Sequence, residues 1–231
     1  MSKHTDIPEY KIRVSSRARH ARLQVKPFVG LEVVIPKRFP RNQVESFVTR
    51  HRGWINEQLD KHAASFEMPS LPEQIHVVFT NEVFTIEYMD ENGLTEASGH
   101  LRVNRHEADS LLRNWVREKA RKELSPRLSE LAQQFNFSYQ RTSIRSQKSR
   151  WGSCSIRGTI SLNDQLIFLP SEAVDYLLIH ELCHTRHMNH SPAFWKLVAQ
   201  CCPDFSKQEA VLSQGKERVP AWFQRSLYQD S

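Results

Sequence analysis

The residues of this chain with the clearest chemical potential are His180-Glu181-Leu182-Cys183-His184, two histidines four apart with a glutamate after the first. With 11 His and 18 Glu among 231 residues, such a run would arise by chance somewhere in the chain with a probability of about 0.04. On a helix, positions four apart share a face, so both imidazoles can take one Zn²⁺. Glu181 lies about 100° round the helix, where it reaches a water on the zinc rather than the zinc itself. Zinc brings the pKa of such a water to about 7, and the carboxylate takes its proton as general base.

The flanking residues must therefore build a helix. Ser171 after Pro170 reads as an N-cap and Glu172 suits the first turn. Val174, Leu177, Leu178, Ile179 and Leu182 make the segment apolar nearly all round, which predicts burial. His180, Glu181, His184 and nearby Asp175 then need partners, and a metal satisfies most of them at once. A catalytic zinc takes three protein ligands and keeps one open position. His190 precedes Ser191-Pro192, the N-cap and first residue of a new helix, and a turn at Met188-Asn189 would swing it back. Spacing favours His190 as third ligand; its rivals are His187, one turn further along, or an acidic side chain from elsewhere. Cys183 points away and packs as a small hydrophobe. Cys154 has no cysteine-hydrolase signature around it.

A second cluster, Ser143 to Ser155, leads into the strand-like Thr159–Asn163. From Tyr139 to Arg157 it carries five Lys/Arg and no acid. It reads as a hairpin with a basic, hydroxyl-rich loop, fit to hold a phosphate or a substrate carbonyl, or simply solvated. Upstream, Glu107–Phe135 keeps one helical stripe, which Ser125-Pro126 should kink or break.

The first forty residues predict antiparallel strands at Tyr10–Val14, Ala21–Val25 and Leu31–Ile35. Six Lys/Arg and no acid lie between Tyr10 and Leu31, which suits a sheet's polar face or a surface for an anionic partner. A helix spans Arg41 to Leu59, and Met68–Pro72 is a connector. Strands follow at Ile75–Phe79, Val83–Tyr88 and Leu101–Val103, with a turn at Asn92-Gly93. The net charge of +6 is mild, and 39% hydrophobic residues suit a soluble globular protein of one large or two small domains. The start has no signal-like apolar stretch, no run is long enough to span a bilayer, and the four cysteines form no CxxC. These features predict a reducing cytoplasm and no membrane; they set no oligomeric state.

RSQKSRWGSCS, a short strand ending in LN, and DYLLIHELCHTRHMNHSPAFW together resemble the bacterial YgjP-like metallopeptidase domain, similar in layout to SprT-like zincin groups. The likeness is strongest over residues 141–203. It implies an α+β fold: N-terminal antiparallel β hairpins with a helix, then a zincin-like (minigluzincin-type) helical catalytic region with a small β sheet. The corresponding division is 1–105 as a β-rich region with one helix, 106–215 as the catalytic region and 216–231 as a tail, with 1–215 able to form one compact domain. Residues 76–105 look longer than the compact family form needs. The resemblance implies zinc on His180, His184 and His190, with Trp151, Gly152 and Ser153 beside the cleft; Glu181 is the catalytic base, and Arg145 and Arg150 of the basic loop are further candidates for binding the substrate. It implies a peptide or protein substrate. UTP, hydrolysed to release pyrophosphate, is the alternative, and a non-catalytic basic module with weak nucleic-acid contact is a third. His187, Arg145 and Tyr176 are candidate donors to an oxyanion.

Overall fold

A computed structural model describes residues 8–26, 29–61 and 70–224. The chain forms two compact units that divide between Ser70 and Leu71. That is the predicted connector, of which residues 68–69 lie outside the described residues.

In the first unit, β1 (Tyr10–Ser15), β2 (Arg22–Lys26) and β3 (Gly30–Pro36) form a sheet of order β1-β3-β2. β2 and β3 are antiparallel, as predicted, but β1 runs parallel to β3, from Tyr10↔Leu31 to Ser15↔Pro36. The continuous run Leu31–Ile35 explains this. Every one of its residues is buried, so it takes the central place, where both edges and both faces are covered. Glu32, the acid within that run, receives Arg13 Nε at 3.0 Å and Lys26 Nζ at 2.7 Å. The predicted helix becomes two, α1 (Val44–Arg50) and α2 (Arg52–Lys61), broken at His51. Val44, Val48 and Ile55 cover Leu31, Val33 and Ile35.

The second unit opens with β4 (Gln74–Val77), β5 (Glu82–Met89), β6 (Leu94–Ala97) and β7 (His100–Asn104), ordered β4-β5-β7-β6. Its inward residues Ile75, Val77, Phe84, Ile86, Leu101 and Val103 share one core with α3 (Ala108–Gln134). The segment that looked surplus is therefore a cover for the long helix. α3 is continuous over 27 residues with Pro126 inside it, so the predicted break does not occur. Leu124, Leu128 and Leu131 clamp the helix on its buried side, while Pro126 is exposed, where water reaches the carbonyl that loses its partner.

β8 (Arg141–Arg145), β9 (Gly152–Cys154) and β10 (Thr159–Asn163) follow, ordered β8-β10-β9. β9 and β10 form the predicted hairpin, its turn closed by Gly158 at φ 71°. β8 pairs with β10 on the other side, in parallel. The chain ends in α4 (Ser171–Cys183), α5 (Pro192–Cys201), α6 (Phe205–Ser213) and α7 (Gly215–Arg218). Pro170, not Ser171, occupies the N-cap of α4, where its carbonyl accepts from the N–H groups of Ala173 and Val174. Of the predicted tail, residues 225–231 lie outside the described residues. No helix among the described residues is long and apolar enough to cross a membrane.

Leu128 is fully buried between α3 and the rest of this core. Leu128→Ala is expected to lower unfolding free energy by about 2–5 kcal/mol, read as a fall in urea midpoint.

Candidate metal centre

α4 is buried on most of its surface, so each polar side chain on it needs a partner. Asp175 finds one on α3: Arg127 donates through Nε to Oδ1 at 2.8 Å and through Nη2 to Oδ2 at 2.6 Å. The two histidines and Glu181 are left to face a cavity.

After Cys183 the helix ends, and residues 184–190 turn back on themselves. Ser191 then caps α5 by accepting from the Phe194 N–H, with Pro192 at the helix start, as predicted. This return brings His190 Nε2 to 3.1 Å from His180 Nε2. One ring nitrogen each of His180, His184 and His190 lie within 4.8 Å of one another. His187 stays outside the group but supplies its carbonyl, which accepts from His184 Nδ1–H at 3.0 Å. That bond fixes the tautomer and leaves the His184 Nε2 lone pair free.

Phe194 and Trp195 at the start of α5 fix the three rings. Phe194 is fully buried and stacks on His184 at 4.5 Å between centroids, with His180 and His190 edge-on at 4.9 Å each. Trp195 stacks on His190 at 5.6 Å. Burial, aided by the neighbouring histidines, pushes His180 down to about 4, and burial likewise lowers His184. At neutral pH both are neutral imidazoles with lone pairs to offer.

Glu181 is 4% exposed, and its Oε2 has no hydrogen-bond partner. Burial pushes its carboxyl up to about 8, against the pull of Arg150. The side chain fits because Gly152 on β9 has no Cβ. One built there would stand 2.7 Å from Glu181 Oε1, 2.9 Å from Cγ and 3.0 Å from Cδ.

β9 is an edge strand, and Gly152, Ser153 and Cys154 line a cavity of about 310 Å³ with Arg150, Glu181 and all three histidines. Cys154 carries no enhanced thiolate character, since burial and Glu181 push it up to about 11. A second cavity of about 500 Å³ adjoins the same His180 and Glu181 and is walled by Trp151, Tyr176, Leu177, Leu212 and Lys216. Trp151 is locked there: its Nε1–H donates to the Leu212 carbonyl at 3.1 Å, and Lys216 Nζ lies 4.1 Å above its ring. The loop before β9 hangs on buried Asn163, whose Nδ2 donates to the carbonyls of Gln147 at 2.8 Å and Arg150 at 2.7 Å.

Of the residues expected beside a substrate, Arg150, Trp151, Gly152 and Ser153 line these cavities. Arg145 lines neither, because β8 lies across β10 from β9. Among the candidate oxyanion donors Tyr176 lines the larger cavity. The walls from α6 and α7 were not anticipated, since Leu212 and Lys216 stand some sixty residues beyond Trp151 and carry no motif.

A family model described as YgjP-like, metallopeptidase domain, matches residues 19–215. No protein of curated function matches the chain. Among solved structures, the metallopeptidase zymogen abylysin of Pyrococcus abyssi is similar at 26% identity, over 40% of this chain and 93% of that one, with a TM-score of 0.36. The metallopeptidase zymogen jannalysin of Methanocaldococcus jannaschii is similar at 20% identity, over 40% and 95%, also with a TM-score of 0.36.

The contact of Gly152 with Glu181 is open to a direct check. Gly152→Ala should cost about 1–3 kcal/mol of stability through overpacking, whereas Ser153→Ala on the same strand should cost under about 1 kcal/mol. Denaturant unfolding of the two variants side by side measures the difference.

Proposed function

Because the chain belongs to the YgjP-like metallopeptidase domain family, we propose that it is a zinc-dependent peptidase with His180, His184 and His190 as metal ligands and Glu181 as general base. The observation that carries this reading is the convergence of three imidazole nitrogens beside a buried carboxyl that has an unpartnered oxygen. The donor set fits: three imidazole nitrogens suit Zn²⁺ and leave a fourth position for water or substrate. Bound there, zinc supplies Lewis acidity to a water and to a carbonyl oxygen.

The chain's own groups do the rest. The backbone of β9 has a free edge along the cavity, and an extended peptide adds to it as a further strand. Glu181 accepts the proton of the attacking water and returns it to the leaving amine. A carboxyl held near the working pH by burial is suited to both transfers. Arg150, which lines both cavities with Glu181, pulls that carboxyl down against the effect of burial. Tyr176, whose hydroxyl burial keeps protonated, is the donor offered to a developing oxyanion. In this reading α4, α5 and β9 form a zincin-like, minigluzincin-type catalytic region within residues 106–215.

Metal analysis with activity assays tests the proposal. Wild type and Glu181→Gln should each hold about one zinc per chain. Glu181→Gln should lose about 10²–10⁴-fold in hydrolysis of an unfolded protein. His180→Ala, His184→Ala and His190→Ala should each lose zinc. A wild type without zinc would overturn the assignment, full zinc in His190→Ala would move the third ligand, and hydrolysis of UTP alone would replace peptide by nucleotide.

A further inference from the structure

Most of the net charge of the chain is housed in one of its two units. Residues 1–70 hold 13 Lys+Arg against 7 Asp+Glu, and residues 71–227 hold 19 against 18. The two halves also treat their cations differently. In the second unit many are paired on the surface, as Arg102 is with Glu87, Arg105 with Asp90, Arg121 with Glu118 and Lys119 with Glu82. In the first, Arg13 and Lys26 share Glu32, and Lys61 pairs with Glu57.

Topology gathers six of the other cations. β1 runs parallel to β3 and ends level with it, Ser15 opposite Pro36, while β2 runs back and places Arg22 opposite Val34. The β1–β2 connection and the turn after β3 therefore leave the same end of the sheet. They bring Arg17, Arg19, Arg22, Lys37, Arg38 and Arg41 to that end, all exposed. None of the six has a carboxylate within ion-pair distance among the described residues. The only acid between Tyr10 and Val44 is Glu32, which lies in mid-sheet and is neutralised there.

We propose that this end of the N-terminal sheet binds the phosphate backbone of a nucleic acid. Five of the six cations are arginines, whose planar forks match phosphate oxygens. Close like charges of this number repel one another unless an anion lies among them. A lipid surface fits less well. Membrane-surface binding couples cations to exposed apolar side chains, and none of the exposed large hydrophobic residues falls within 16–22 or 37–41. The binding is of the backbone type, with affinity and salt dependence but little base preference. It is independent of the chemistry proposed for the metal centre.

Fluorescence anisotropy on the full chain tests it, with a labelled 30-mer as single-stranded DNA, duplex DNA and RNA, against phosphatidylserine vesicles and poly-glutamate. At low salt a nucleic acid should bind in the micromolar range or tighter, with log K falling by about 3–5 per decade of salt. The triple change Arg17→Glu, Arg19→Glu, Arg38→Glu should weaken binding at least ~10-fold and flatten the slope by about 3. The control Lys122→Glu, Lys207→Glu, Arg218→Glu, with equal net charge, should change affinity by less than about 3-fold. Should the glutamate triple fail to unfold cooperatively, Arg→Gln at the same three positions carries the test, with the same flattening. Equal losses in both triples, no binding at low salt, a flat salt response, or binding to vesicles or poly-glutamate as tight as to nucleic acid would each overturn the proposal.

Discussion

The candidate metal centre depends on the cost of placing ionisable side chains on a helix that is apolar on nearly every side. α4 carries Asp175, His180 and Glu181, with His184 at its C-cap, and its other residues are almost all buried. Each polar group left without a partner there costs on the order of 1–3 kcal/mol or more. The surrounding fold reads as a set of answers to that cost. α3 sends Arg127 to Asp175, the return after α4 sends a carbonyl to His184, and α5 supplies the aromatic floor under the rings. On α4 the Glu181 carboxyl keeps a buried oxygen with no hydrogen-bond partner among the described residues.

Satisfying the helix also fixes the strand beside it. Glu181 has room only because β9 presents a glycine, so the edge of the sheet and the turn of the helix must approach together. That edge is positioned from behind by Asn163, whose side-chain amide bonds two carbonyls of the preceding loop. Asn163 Oδ1 accepts from the Gln165 N–H at 3.2 Å and its Nε2 at 3.0 Å, and Gln165 Oε1 in turn accepts from Lys216 at 3.0 Å. A chain of hydrogen bonds thus runs from β10 to α7, and Trp151 is clamped between the two ends. The cavity's far wall is therefore coupled to the strand through polar contacts rather than through packing alone.

This explains which parts were legible in the sequence. Local rules delivered what local rules control: the helix at 171–183, the cap at Ser191, the return of His190 and the β9–β10 hairpin all follow from spacing, capping and turn chemistry. What failed were relations between distant segments. The parallel placement of β1 beside β3 depends on which strand is most apolar overall, and that shows only when the strands are ranked against one another. Pro126 reads as a breaker because propensity sees one residue, whereas α3 is held by segments distant in the chain, the strands upstream and α4 downstream. Arg145 and Arg150 are close in the chain, yet β10 separates β8, which ends at Arg145, from β9, which Arg150 precedes. Leu212 and Lys216 carry no signal of their own, being ordinary residues made into a wall by Trp151.

The same distinction governs the charge. A net +6 spread evenly over 231 residues would be an ordinary soluble surface. The second unit is nearly balanced in charge and pairs many of its surface cations, so it has little long-range field beyond its own cavity. The first unit has few acids to pair with, and the one acid in its sheet is placed where it cancels two cations at the centre rather than the six at the end. Moving Glu32 to the β1–β2 connection would relieve the crowding there but would leave Arg13 and Lys26 without their partner in mid-sheet. An acid kept in the sheet interior and absent from its cationic end therefore concentrates the positive field rather than diluting it. Such a distribution suits a surface whose counter-charge comes from a partner.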